Sequence, residues 1–146
     1  MTKDNWGAAL AVFPEVNVGT KTNPSVEPEL FYVMDTNSNG GWRASIYSWT
    51  LMPDNRLMGC YSVSFARRAI VRVLNKCFVF ESGAILQVAQ SYQDGARRWM
   101  GSLGFQASAG YRWHEYELSL IYRGNYFHRL DSAGDRMGIC FSFMLF

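Results

Sequence analysis

Hydrophobic and polar residues alternate with a period of two along almost the whole chain, and helical periodicity is nearly absent. That pattern is the signature of half-buried β-strands. It predicts strands near residues 5–18, 26–35, 41–52, 57–68, 76–91, 97–111, 115–127 and 136–146. The breaks carry turn chemistry: Thr22-Asn23-Pro24-Ser25, Asn37-Ser38-Asn39-Gly40-Gly41, Pro53-Asp54-Asn55, Gln93-Asp94-Gly95 and Asp131-Ser132-Ala133-Gly134-Asp135. Each supplies Gly, Asn, Asp or Pro where the backbone must turn. The stretch from Arg67 to Lys76 fits a strand end, a tight turn or one helical turn equally well.

The two faces differ sharply. On the seventh strand Tyr116, Leu118, Leu120, Tyr122 and Tyr126 oppose Glu117, Ser119, Arg123 and Asn125. On the sixth, Trp99, Leu103, Phe105, Ala107 and Tyr111 oppose Arg98, Ser102, Gln106 and Ser108. The fourth sets Leu57, Tyr61, Val63 and Phe65 against Cys60, Ser62 and Ser64; the fifth sets Phe78, Phe80, Leu86 and Val88 against Glu81, Gly83 and Gln87. The eighth sets Ile139, Phe141, Phe143 and Leu145 against Cys140, Ser142 and Met144. Eight strands, an even number, can close up-and-down into a barrel without leaving an exposed edge.

Alternation does not say which face is outside, and a lipocalin-like barrel would turn its apolar face inward. Two features favour the reverse. Aromatic residues bracket the apolar stripes, as Trp99 with Tyr111 and Tyr116 with Tyr126. Ten to twelve residues at about 3.3 Å rise and a ~40° tilt climb roughly 25–30 Å, the height of a membrane's apolar band. The opposite face mixes small residues with Glu29, Arg43, Glu81, Glu117 and Arg123, which suits a narrow interior filled by paired charges. The expectation is one domain over residues 1–146: an all-β, antiparallel, up-and-down eight-stranded barrel of the transmembrane type.

Composition agrees. The chain has 146 residues, of which 49% are hydrophobic, 16% aromatic and only 18% charged. That length buries a core without disulfide or metal staples. A net charge of +2 argues against a nucleic-acid partner. Basic residues cluster locally at Arg67-Arg68, Arg97-Arg98 and Arg129, which fits a charged surface. No apolar run has the length of a membrane-spanning helix, a test that β-barrels escape. The opening Met1-Thr2-Lys3-Asp4-Asn5 is followed by no signal-peptide core, so an exported protein of this sequence is expected to be a mature form with an added start Met. Cys60, Cys77 and Cys140 lack metal-ligand spacing and read as free thiols; no metal or cofactor is expected.

Ser62-Val63-Ser64-Phe65-Ala66 and Phe78-Val79-Phe80-Glu81-Ser82-Gly83, with the length and spacing of the last two strands, resemble the PagL family of outer-membrane lipid A 3-O-deacylases over residues 40–146. The closing Phe146 resembles the C-terminal signature of outer-membrane barrels, although Leu145 continues the apolar face. The resemblance implies an eight-stranded barrel in the bacterial outer membrane. The family's chemistry uses a His-x-Ser-Asn run on the penultimate strand, the His as base and the Ser as nucleophile, with an acidic partner on the last strand. The matching positions here are Tyr122, Gly124 and Asn125, so only the Asn is kept. Without a base beside a hydroxyl the family's nucleophile is missing.

Other constellations are weaker. His128 and Ser132, with Asp131 or Asp135, could form a displaced base–nucleophile pair, but they fall in a turn-like stretch that reads as a solvated loop. His114 sits in the tight turn Arg112-Trp113-His114-Glu115, where an interfacial role suits it better than catalysis. Gly40-x-Trp42 resembles a lipocalin fragment placed too late in the chain. Arg43, Glu81, Glu117 and Arg123 are expected as an interior polar network rather than an acid–base group. Arg97, Arg98, Arg129 and Arg136 are expected near the barrel end with the longer loops, where they could meet lipopolysaccharide phosphates. The sequence therefore predicts an outer-membrane barrel, without deacylase chemistry, that contacts outer-membrane lipid, lipopolysaccharide or a protein partner. The alternatives are a lipid A-modifying acyl-ester hydrolase with a rearranged site, for which Asn125, His128 and Ser132 are the candidates, and a soluble lipocalin-like barrel holding an apolar ligand.

Overall fold

In the computed structural model the chain is a closed antiparallel barrel with strand order β1-β2-β3-β4-β5-β6-β7-β8. The strands are β1 (Lys3–Val18), β2 (Lys21–Asn37), β3 (Gly40–Leu51), β4 (Met58–Val73), β5 (Lys76–Gln93), β6 (Ala96–Trp113), β7 (Tyr116–Phe127) and β8 (Arg136–Met144). The structure describes residues 3–18, 21–37, 39–51, 58–93, 96–127 and 136–145, and side chains within 5–14, 25–34, 39–48, 61–88, 101–124 and 136–145. Closure comes from β1 and β8, which pair from Gly7↔Met144 to Val16↔Arg136, with a register shift between Val12 and Glu15. A backbone bond from Leu145 N–H to the Trp6 carbonyl (2.7 Å) extends the seam, and one from Met144 N–H to the Glu115 carbonyl (2.8 Å) ties β8 to the β6–β7 turn.

Two ends are distinguishable. The chain termini share one end with the turns after β2, β4 and β6. The Arg67–Lys76 stretch resolves into strand up to Val73 and a two-residue turn, Leu74-Asn75, with φ of 49° and 63°. Positive φ at both central residues matches the twist of a hairpin. The β6–β7 turn is equally tight, with His114 at φ 53° and exposed beside Trp113. At the β2–β3 turn Gly40 is needed twice over: its φ is 157°, and any Cβ would collide with the Arg68 carbonyl. β5 and β6 run for 18 residues each. A tilted strand crosses the apolar band in about 9–11 residues, so these two carry the wall well past it at the long-loop end.

The face assignment is unambiguous. Leu86 (63% exposed), Leu103 (62%), Leu120 (63%) and Ile139 (54%) lie on the outer wall, whereas Arg68 and Arg123 (1% each), Glu27 (0%) and Glu117 (4%) are buried inside. The lipocalin-like alternative is thereby corrected: an apolar face bathed by water would cost free energy over the whole wall, and a charged interior offers no apolar ligand a seat. Apolar residues share the interior with the charges. Phe13, Phe31, Val33, Tyr47, Ile85 and Ile121 pack between the ionic groups, and Gly7 leaves the room that Phe31 occupies.

Aromatic residues form an outward girdle toward the terminal end. Trp6 meets Tyr32 at 5.0 Å between ring centroids, Trp42 stacks on Phe65 at 4.8 Å, and Phe78 meets Tyr111 at 5.8 Å. Tyr111, Trp113, Tyr116 and Phe143 continue it in successive contacts of 5.9, 6.0 and 5.1 Å. Girdles of this kind mark the membrane–water boundary of β-barrels. Phe105 lies six residues up β6 from Tyr111, within the apolar band. Phe105→Arg is therefore expected to lower stability in lipid vesicles by about 2–4 kcal/mol, measured by urea unfolding. A wall bathed in water would tolerate that change.

Candidate functional site

A strand buries every second side chain, so the inward set is decided by parity. Along β2 that set includes Glu27, Glu29 and Phe31; on β4 it includes Ser62, Ser64 and Arg68; on β7 it includes Glu117, Ile121 and Arg123. Eight strands leave a narrow lumen that side chains fill. The charges in it are joined into one chain of alternating sign. Arg112 Nε lies 3.6 Å from Glu117 Oε1, and Arg68 bridges Glu117 (2.6 Å) to Glu81 (2.7 Å). Arg43 links Glu81 (3.3 Å) to Glu29 (2.7 Å), and Arg123 links Glu29 (2.5 Å) to Glu27 (3.5 Å). Arg136 ends the ladder by gripping Glu27 with two hydrogen bonds, Nε to Oε2 at 3.0 Å and Nη2 to Oε1 at 2.6 Å.

Rings support the same guanidinium groups. Arg43 lies 3.8 Å over the Phe31 ring and Arg123 lies 3.8 Å over Tyr47, while Arg136 packs 5.2 Å from Phe13. Planar guanidinium suits both roles, forked donation and stacking, in a way that Lys would not. The interior also holds uncharged polar pairs, with Ser62 donating to Gln87 Oε1 at 3.2 Å. Cys140 is inward and buried near Ser142, and Cys77 is half-buried beside the β4–β5 turn; both are free thiols.

The structure brings together Arg43, Glu81, Glu117 and Arg123, the four residues expected as an interior network. It adds Glu27, Glu29, Arg68 and Arg112. Glu29 already stood on the polar face of the alternation, and carrying the parity of Ser62 and Ser64 two steps further would have found Arg68. Arg136 requires a correction: it was expected on a lipopolysaccharide-contacting rim, and it is buried inside the barrel on Glu27, because its place on β8 shares the inward parity of Cys140 and Ser142. The supposed Arg67-Arg68 cluster also dissolves, since consecutive strand residues face opposite ways and only Arg67 is outward. Arg97 and Arg98 belong to β6, where they pair with Tyr92 and Ser91, and Asn125 belongs to β7, opposite Gly104; their side chains are outside the described set. His128, Arg129 and Ser132 lie outside the described residues.

On the outer wall a trench of about 970 Å³ crosses β2 to β6. Its walls are Leu30, Ile46, Tyr61, Val63, Leu86 and Val88, and its floor is lowered by the small residues Ser48 and Gly101. A Cβ at Gly101 would meet nothing within 4 Å, so this position adds open space at the β6 edge of the trench.

No family model and no curated protein matches the chain. Among solved structures it is similar to Neisserial surface protein A (NspA), with a TM-score of 0.71 and 11% identity, each chain covered to 98%. It is also similar to Ail, the attachment invasion locus protein of Yersinia pestis, with a TM-score of 0.67 and 16% identity over 97% of this chain and 96% of the other. A structure of Ail in complex with the heparin analogue sucrose octasulfate gives a TM-score of 0.61 and 14% identity over the same shares. These likenesses establish the eight-stranded barrel fold of outer-membrane proteins and do not point to PagL specifically.

The ladder sets a stability expectation. Arg68→Met leaves Glu81 and Glu117 without a main partner and is expected to cost about 3–5 kcal/mol. Removing a whole rung, Glu27→Leu with Arg136→Met, is expected to be near neutral, because no unpaired charge remains. Urea titrations of the two variants in the same vesicles compare them directly.

Proposed function

We propose that this chain is a closed, non-catalytic barrel of the bacterial outer membrane whose long-loop end contacts lipopolysaccharide. The observation that carries the membrane assignment is the inverted partition of side chains, with an apolar, aromatic-girdled wall around an ionic interior. In hydrocarbon every backbone polar group needs an internal partner, and a closed barrel provides that. The fold shared with NspA and Ail supports the same compartment, Ail being an outer membrane protein.

Deacylase chemistry of the PagL type is not part of this reading. At the position matching the family's nucleophile stands Gly124, which has no hydroxyl, and at that matching the base stands Tyr122. Conduction is not part of it either, because the ladder fills the lumen from Arg112 to Arg136. The remaining chemistry lies at the long-loop end. There β6 begins with Ala96-Arg97-Arg98, and the β7–β8 connection carries Arg129. Guanidinium groups bind phosphate and sulfate through paired, charge-assisted hydrogen bonds. Ail was crystallised with a polysulfated ligand, which supports polyanion binding on this fold. The extended β5 and β6 would hold such a rim above the apolar band, at the height of lipopolysaccharide phosphates.

The expected outcome of replacing Arg97, Arg98 and Arg129 together by Gln is a loss of lipopolysaccharide binding of at least tenfold. In the wild type, that binding should weaken as salt rises. Surface plasmon resonance on detergent-solubilised protein measures both, and unchanged binding by the triple variant would remove the proposal. Mass spectrometry of lipid A from cells with and without the gene should give identical acyl patterns; a lost acyl chain would instead support the hydrolase alternative.

A further inference from the structure

Among the residues whose side chains are described, the outer wall carries one charge away from the turns. It is Arg67, on β4. The next outward charge, Lys76, already belongs to the end of the β4–β5 hairpin. Arg67 is exposed and sits directly opposite Trp42 on β3 and Ser82 on β5. Its guanidinium lies 4.9 Å over the Trp42 ring, and the other contact of that ring is the parallel stack on Phe65. Arg67 is thus set into the aromatic girdle. A charge on this wall is costly in the middle of the bilayer and tolerable only at the interface, where the girdle lies.

Among the described residues no acidic side chain neutralises it. Every carboxylate of the ladder faces inward and is held by Arg43, Arg68, Arg123, Arg136 or Arg112, and no ion pair joins Arg67 to a described acidic residue. The position at headgroup height makes an anion from outside the barrel its natural counter-ion. We infer that Arg67, with the Trp42 ring beneath it and the Ser82 hydroxyl beside it, is a binding site for the phosphodiester of a membrane phospholipid. The forked guanidinium offers two parallel donors to the phosphate oxygens, and the indole limits the rotamers it must give up on binding. The apolar rung Phe65 and Ala84, one outward step further from the short turn, then flanks the start of the lipid's chains. This inference rests on the membrane reading above. It places the lipid in the leaflet on the side of the short turns, opposite the lipopolysaccharide-contacting end.

Native mass spectrometry of the purified barrel tests it, after loading with phosphatidylglycerol or with diacylglycerol of the same chains. The wild type is expected to retain one phosphatidylglycerol under activation that strips diacylglycerol. Arg67→Gln is expected to retain about tenfold less, with Arg67→Lys between the two. Undiminished retention by Arg67→Gln, or equal retention of diacylglycerol by the wild type, overturns the site. Displacement of the lipid by millimolar inorganic phosphate overturns the lipid assignment in favour of a free anion. Were Arg67→Gln not to fold, judged by its gel migration with and without boiling, the wild-type comparison of the two lipids still decides the matter. Lipopolysaccharide binding by Arg67→Gln is expected to equal that of the wild type, so failure here and failure of the loop-end reading are separable.

Discussion

A sheet in hydrocarbon cannot leave an edge, because no water is present to bond the open N–H and C=O groups. In this chain that constraint is met where β1 runs beside β8, from Gly7↔Met144 to Val16↔Arg136. The rest follows from it. Closure at eight strands makes the lumen narrow, a narrow lumen must be packed with side chains, and the side chains available are those left over when apolar residues are sent outward. The interior is polar because the exterior must not be.

Filling a lumen with charge is tolerable only if each charge has partners. The ladder solves this by sharing. Glu117, Glu81, Glu29 and Glu27 each stand between two arginines, and their partners come from strands far apart in sequence: Arg68 with Glu117, Arg123 with Glu29, Arg136 with Glu27. Each contact therefore ties one side of the barrel to another. The same arginines lie over Phe31, Tyr47 and Phe13, which lets a few rings replace the large apolar core that a soluble domain would need. The result, among the described residues, is a lumen occupied by paired charges from Arg112 to Arg136.

The outer wall is not uniform. Arg67 interrupts it at the girdle, and the trench across β2 to β6 interrupts it above. The first is a charge where Val63 and Phe65 set the pattern, and the second includes a Gly where Leu103 and Phe105 set it.

Much was legible in the sequence, because a strand's period of two is a purely local property. The faces carrying Leu118 and Leu120, Phe141 and Phe143, or Glu117 and Arg123 could be separated residue by residue, and the aromatic brackets indicated which face meets lipid. Turn chemistry placed most strand ends, but it misplaced one: Thr22-Asn23-Pro24-Ser25, expected as a turn, is strand in β2, paired with β1 across a register shift. Arg67 to Lys76 stayed open, since Leu74 and Asn75 in left-handed conformation give no Gly-based signal. What parity cannot say is who meets whom across the lumen. Arg136 looked like a rim residue because it follows a loop, and only closure brings it to Glu27, 109 positions away. Likewise Arg67-Arg68 looked like one basic patch, and the wall between them sends one to lipid and the other into the ladder. Local alternation thus determined the faces of the strands. The pairing of charges depended on curvature and register around the whole barrel, which no local segment contains.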